Sequence, residues 1–302
     1  MPADPVSAWM RDRSFHHSRW DEAFLIARRE SVSVCLPARD CARTIAPIVQ
    51  ALAGLRKRGV IDELVVIDGD SADDTARIAQ RAGATVHREG ELMPSYGPVL
   101  GKGDAMWRAL SVLEGHLVCF LDADVLEFST RYPIGLLAPL VELDEVSFVK
   151  AHYRRPFRHG DAVVPDGGGR VNHLLARPFL AVFHPLLAGV RQPLAGEIAA
   201  RRTLLERLPF TTGYGVELAM LLDVLDAVGL EGMAQVDLDV HHNSHQPLAA
   251  LSEMSYALLR VLAARLESEG RLVELEPSPL ISGEREFDAP PVERPPMVSA
   301  TT

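Results

Sequence analysis

The sequence predicts an α/β fold, a mostly parallel, Rossmann-like sheet with helices on both faces. Three observations lead to it. Short apolar runs alternate with helix-period segments through residues 31–125, and the connections between them are short. Such alternation makes parallel crossover units, whose helices cover both sides of the sheet. The run His116–Asp122 (HLVCFLD) is apolar almost throughout, as in a strand buried on both faces. The bulk composition, 47% apolar and 24% charged over 302 residues, is that of a globular chain long enough for a large core.

Taken in order, residues 1–30 read as an arm or helix leading into the first strand. Ser31–Ala38 is a short apolar run closed by a turn, and Ala42–Lys57 has helical spacing. Ile61–Asp68 is the second strand; GDSADDT then leads into a helix through Arg81. Asp73 and Asp74 favour that helix start. Thr85–His87 is a short third strand, 90–101 a loop, Asp104–Glu114 a helix and His116–Asp122 a strand. Beyond residue 125 the alternation weakens. We expect a strand at Val146–Tyr153, a glycine-rich turn at Asp166–Arg170 and helices at Val171–Val182, Ala199–Leu205 and Val216–Val228. Ala234–Val240 alternates like a strand, and Leu248–Leu266 is an amphipathic helix that packs on the core. The Pro-rich tail from 276 reads as extended and partly mobile. The expected division is therefore an arm (1–30), a main domain (31–275) and a tail (276–302). The domain comprises a first half (31–125), a second half (126–247) and a C-terminal helix (248–275).

Several function classes are excluded early. A net charge of −10 argues against broad binding to nucleic acid. Cys35, Cys41 and Cys119 lack metal-ligand spacing and read as inert core thiols. Neither a basic start with an apolar leader nor a run of about 18 apolar residues occurs, so we expect a cytoplasmic protein without a membrane anchor.

The chemistry concentrates in FLDADV, Phe120–Val125. An isolated D-x-D is ordinarily a solvated turn. Here the apolar run before it sets Asp122 and Asp124 at the carboxyl end of a buried parallel strand, the edge where open α/β sheets bind ligands. Carboxylates there suit Mg²⁺ or Mn²⁺ bridging a diphosphate. The turn after VCLPARD and the acidic end of VVIDGDSADDT make Asp68, Asp70 and Ser71 candidate nucleoside contacts. Lys102, flanked by Gly101 and Gly103, is a candidate phosphate or base contact. Gly167-Gly168-Gly169-Arg170 reads either as a linker or as an anion cradle of backbone N–H groups and a guanidinium. His241–Gln246 (HHNSHQ) either supplies a metal imidazole or is a polar loop.

In combination, CLPARD, VIDGDSADDT, GKGDAMWRAL, FLDADV, SFVKAHYRRPF, GGGRVNHLLARP, QPLAGE, PFTTGYGVE, AQVDLDV and ERPPM appear in an order that resembles the glucosyl-3-phosphoglycerate synthases of actinobacteria and their mannosyl-3-phosphoglycerate relatives. The resemblance runs from about Trp20 to Met297. It implies the GT-A glycosyltransferase fold, a homodimer, and a retaining, divalent-metal-dependent transfer of a hexose from a nucleotide sugar to the 2-hydroxyl of 3-phosphoglycerate. By position it assigns Pro37, Ala38, Arg39, Asp40, Cys41 and Ser71 to the uracil nucleoside, and Lys102 to the base. Asp122 and Ala123 fall to ribose or sugar and Asp124 to the metal. Gly169, Arg170, Val171 and Asn172 fall to the acceptor. Tyr214, Gly215, Val216 and Glu217 face the donor, with Glu217 near the sugar. Asp124, Glu217 and Arg170 are the catalytic candidates.

Departures from the family pattern accompany it. Its first turn, Pro-Ala-x-Asn-Glu, is here Pro37-Ala38-Arg39-Asp40-Cys41, which removes an acidic acceptor for the base. Its metal histidine falls on Asn243, which leaves His242 or His245 as metal ligand. His241, His242 and Asn243 reach over the donor, and His245 matches an acceptor contact. Asn172 replaces an acceptor-loop threonine and still hydrogen-bonds. The expected reaction is transfer of glucose from UDP-glucose to 3-phosphoglycerate with Mg²⁺ or Mn²⁺. Its rivals are GDP-mannose as donor, a nucleotidyltransferase (disfavoured by the missing Gly-rich triphosphate loop) and an inactive nucleotide-sugar-binding relative.

Overall fold

The computed structural model describes residues 4–300, apart from 160, 161, 166, 243–245, 274–276, 283 and 284. Eight strands form one sheet: β1 (Ser14–His16), β2 (Val32–Ala38), β3 (Glu63–Asp68), β4 (Thr85–Arg88), β5 (Leu117–Phe120), β6 (Phe148–Arg154), β7 (Ile198–Arg201) and β8 (Met233–Val240). Their spatial order is β1-β8-β6-β7-β5-β2-β3-β4. All pairings are parallel except those of β7, which runs antiparallel between β5 and β6.

Two-residue periodicity explains why the sheet has two cores. Val34, Leu36, Leu64, Val66, Leu117 and Cys119 point to one face, against the helices Ile45–Lys57, Thr75–Ala82 and Arg131–Glu142. Their neighbours Cys35, Val65, Ile67, Val118 and Phe120 point to the other, against Lys102–Ala109, Val216–Val228 and Leu248–Ser268. Strands so sandwiched carry the continuous apolar runs seen in the sequence. The turns between them are stapled locally: Asp21 caps the helix Glu22–Ile26 through the Phe24 N–H at 3.0 Å, and Gly83 ends the helix Thr75–Ala82 at φ 111°.

Three expectations change. The helix expected at Ala199–Leu205 divides into β7 and a single turn, Arg202–Leu205. Local propensity favours helix for such an Ala- and Arg-rich segment. Ile198, Ala199 and Ala200 are instead fully buried between two strands whose N–H and C=O groups they pair, and that pairing overrides propensity. The helix expected at Asp104–Glu114 spans Lys102–Ala109 and gives way to turns at 110–112, before Gly115 packs so tightly on β2 that a Cβ there would lie 2.4 Å from the Ser33 nitrogen. The tail is extended but anchored. Glu293–Arg294 pairs with Phe210–Thr211, and Arg294 grips buried Asp104 through two bonds of 2.8 and 2.7 Å. The Trp107 indole donates to the Pro295 carbonyl at 2.8 Å. Residues 1–30 contribute a helix, Pro5–Asp12, and the edge strand β1. Among the described residues no helix is long and apolar enough to cross a membrane.

Candidate active site

The carboxyl ends of β2, β3 and β5 open onto one cleft of about 440 Å³. Pro37 and Ala38 line it from the end of β2, Arg39 and Cys41 from the turn after it, and Asp122, Ala123 and Asp124 from the turn after β5. Lys102 enters from the first turn of its helix and bridges the Asp122 Oδ1 (2.5 Å) and the Glu217 Oε1 (3.0 Å). This packing needs glycine at two places. A Cβ on Gly103 would lie 2.0 Å from the Thr211 carbonyl oxygen. One on Gly196 would lie 2.3–2.4 Å from both Asp122 oxygens and the Lys102 Nζ.

The electrostatics separate the two aspartates. Burial opposes charge on Asp122, but the Lys102 ammonium and its hydrogen bond outweigh burial and hold the carboxyl below its ordinary range. Asp124 is pushed the other way, by desolvation in the cleft and then by the neighbouring Asp122. It is reachable by water and makes no side-chain hydrogen bond or ion pair among the described residues. A carboxylate kept beside a second one, with no protein cation of its own, fits a divalent ion; Asp122, engaged by Lys102, is less available.

Behind this pair lies a layer of buried ionisable groups. Glu197 is 1% exposed, and burial followed by Asp122 pushes its carboxyl up to about 8. The Tyr153 hydroxyl donates to its Oε2 at 2.8 Å. Lys150 is equally buried, its Nζ without a hydrogen bond among the described residues, and burial pushes it down to about 8.

Facing the strand ends, the glycine loop brings Gly169, Arg170, Val171 and Asn172 onto the cleft wall. Gly169 takes φ 67°, and the Arg170 guanidinium donates to the Gln246 carbonyl at 2.8 Å while lying over the Phe157 ring. Tyr214 and Glu217 also line the cleft.

Other candidates lie elsewhere. Asp40 and Ser71 do not line the cleft; the Asp40 N–H donates to the Ser71 Oγ at 3.0 Å, and the Asp40 carboxylate accepts from the Ala72 N–H at 2.8 Å, tying the two turns together. Asp68 is buried and accepts from the Ser71 N–H at 3.3 Å. Gly215 and Val216 are packed inside, since a Cβ on Gly215 would meet Val261 at 2.6 Å and Val216 is 1% exposed. His241 is buried, stacked on Tyr153 at 4.3 Å, and burial pushes it down to about 4, so it is a neutral core imidazole. His242 points its Nε2 towards Glu127 at 3.8 Å and is absent from the cleft wall. Asn243 and His245 lie outside the described residues. Among the described residues, three metal-ligating side chains converge only at His16, His17 and Asp239, where both imidazoles already hydrogen-bond the carboxylate at 3.1 and 2.6 Å.

Residue patterns in the sequence did not single out Glu89, Lys150, Arg155, Gly196 or Glu197. Arg155 and Glu89 line the cleft, and the other three shape it from behind. Lys150, a lysine inside the apolar run of β6, was the signal available, because buried charges need partners.

The model of Glycosyl transferase family 2 matches residues 33–157. The glucosyl-3-phosphoglycerate synthase of Petrotoga mobilis is 37% identical over 95% of this chain and 94% of its own. That of Mycolicibacterium paratuberculosis is 41% identical over 86% and 80%. Among solved structures, mannosyl-3-phosphoglycerate synthase from Rubrobacter xylanophilus superposes with a TM-score of 0.89 at 44% identity, covering 98% of each chain. Glucosyl-3-phosphoglycerate synthase from Mycobacterium tuberculosis, in complex with Mn²⁺, UDP-glucose and phosphoglyceric acid, superposes at 0.83 with 35% identity over 95% and 98%. The fold is GT-A. With relatives matched along nearly their whole length, the chain belongs to the glucosyl-3-phosphoglycerate synthase family.

Proposed function

We propose that the protein transfers glucose from UDP-glucose to the 2-hydroxyl of 3-phosphoglycerate, giving glucosyl-3-phosphoglycerate, with Mg²⁺ or Mn²⁺ and with retention at the anomeric carbon. The observation that carries this is the opposition, across one cleft, of an unpaired carboxylate beside a lysine-clamped one and an arginine in a glycine loop. Asp124 would hold the cation, which neutralises charge on the departing diphosphate. Asp122 and Glu217 keep the Lys102 ammonium fixed beside it, so positive charge stands ready where negative charge develops. Arg170 and the N–H groups of Gly169 to Asn172 grip the acceptor anion and aim its hydroxyl at the sugar. The Glu217 carboxylate is engaged by Lys102 rather than free to attack the sugar, which favours front-face attack by the acceptor. His245 of the 241–246 tract remains a metal or acceptor ligand by resemblance. We also infer a homodimer in the cytoplasm, on the family resemblance alone; sedimentation analysis checks the first point.

A second reading, GDP-mannose as donor, is favoured by the 44% identity to the Rubrobacter mannosyl enzyme. Purified protein with 3-phosphoglycerate and Mn²⁺ or Mg²⁺ is given UDP-glucose, GDP-glucose or GDP-mannose, and released nucleotide is measured. Acceptor-dependent UDP release, fastest with UDP-glucose, is expected. Faster GDP release selects the second reading, and no acceptor-dependent release from any donor refutes both.

A further inference from the structure

Glu89 opens a short turn, Glu89–Glu91, that leaves the carboxyl end of β4. It is 2% exposed, lines the cleft beside Ala38, Arg39 and Gly69, and its Oε1 makes no hydrogen bond among the described residues. A buried carboxyl oxygen left without a partner costs free energy, and a ligand group that completes it recovers that cost.

Four charged groups face Glu89: Asp70 from the turn after β3, Arg39 from the turn after β2, and Asp104 and Arg108 from the helix Lys102–Ala109. None forms an ion pair with it among the described residues. Arg108 is committed to Asp104 at 3.0 Å and to loop carbonyls such as that of Gly97 at 2.9 Å. Burial first, then Asp104, pushes the Glu89 carboxyl up to about 8, so at neutral pH it is an uncharged acid with one donor and one acceptor.

Its place along the rim matters as much as its chemistry. The sheet ends in the order β5-β2-β3-β4. Asp122 and Asp124 follow β5 and Glu89 follows β4, three strand spacings or roughly 14 Å away. A nucleoside diphosphate held with its phosphates at the β5 carboxylates would run along this edge, over Pro37–Arg39 and Gly69, with its base towards Glu89.

We propose that Glu89 reads the nucleobase of the donor, accepting the uracil N3–H and donating its carboxyl O–H to the adjacent uracil carbonyl. This rests on the nucleotide-sugar reading above and adds the residue that selects the base. The ionised carboxylate, which only accepts, suits the paired N1–H and N2 amino donors of guanine and opposes a uracil carbonyl. Preference for uracil over guanine therefore declines as pH rises through the titration of Glu89.

The test is calorimetric binding of UDP and of GDP, each with Mn²⁺, between about pH 6 and about pH 8.5. The unaltered protein, Glu89→Gln and Glu89→Ala are compared, each checked for folding by circular dichroism. In the unaltered protein the UDP-to-GDP affinity ratio is expected to fall by about tenfold over that range. Glu89→Gln keeps one donor and one acceptor but does not titrate, so it binds UDP with a ratio independent of pH. Glu89→Ala weakens UDP roughly tenfold. A flat ratio in the unaltered protein, or UDP binding by Glu89→Ala at full strength, overturns the assignment and leaves the donor reading standing. Failure of the folded protein to bind either nucleotide overturns both.

Discussion

The two walls of the cleft are built on opposite plans. On the strand-end wall the charges are largely partnered before any ligand arrives: Lys102 holds Asp122 and Glu217, and the Asp40 and Ser71 turns hold one another. Asp124 is the exception beside the clamp, and farther along the rim Arg39 and Glu89 also form no ion pair among the described residues. On the glycine-loop wall the cations wait. Arg155 forms no ion pair among the described residues, and Arg170 rests on a backbone carbonyl and an aromatic face. The first wall is an arrangement of fixed dipoles and charges, which favours transition-state stabilisation. The second is completed by an anion, which favours binding and orientation. Substitutions on the first wall should therefore lower kcat, and those on the second should raise the acceptor KM.

The largest effect tests the exception. Asp124→Ala should lower transfer by about 10³-fold or more, because the cation loses its protein ligand. Thermal unfolding should stay near that of the unaltered protein, since Asp124 is exposed and makes no side-chain hydrogen bond or ion pair among the described residues. Unchanged turnover would remove the basis of the comparison. Next, Gly196→Ala inserts a methyl into the Lys102–Asp122 pair and should cost roughly 10–100-fold in kcat by displacing it. A variant with full kcat would show that this pair need not be so tightly fixed. On the opposite wall, Arg170→Ala should raise the KM for 3-phosphoglycerate by about 10–30-fold, with kcat and the donor KM changed little. A fall in kcat instead would mean that both walls act in the chemical step.

The smallest effect concerns the layer behind the first wall. Glu197 has a folded-state pKa raised from 4.5 to about 8, so the folded protein holds a proton there that the unfolded chain releases. Its contribution to stability is full below the unfolded value and is lost as pH rises towards 8. Relative to Glu197→Gln, the unaltered protein should thus lose stability between about pH 5 and about pH 8 in urea denaturation. Parallel curves for the two proteins would show that Glu197 does not hold this proton.

Much of the rim was legible before folding was considered. An apolar strand followed by Asp-Ala-Asp says that two carboxylates stand at a sheet edge, and Gly-Lys-Gly says that a cation comes close to a backbone. The sequence pattern could not say that Lys102 would clamp Asp122 and leave Asp124 free, for that depends on Gly196, 74 positions further along the chain than Asp122. Nor could the motif HHNSHQ reveal that His241 turns inwards onto Tyr153, since burial is settled by which elements cover a strand end rather than by the strand itself.

Taken alone, then, the chain's periodicity determined the parallel strands of the first half, the two apolar faces and the strand end that carries the aspartates. These follow from local spacing and from the need to bury continuous apolar runs on both sides. The tertiary structure alone decided that Ile198–Arg201 would be an antiparallel strand and that Arg294 from the tail would neutralise Asp104. It also decided that Glu89 and Glu197 would stay protonated near neutral pH. The reason is common to all three. Backbone pairing, charge neutralisation and desolvation depend on neighbours distant in sequence, and no window of local residues contains them.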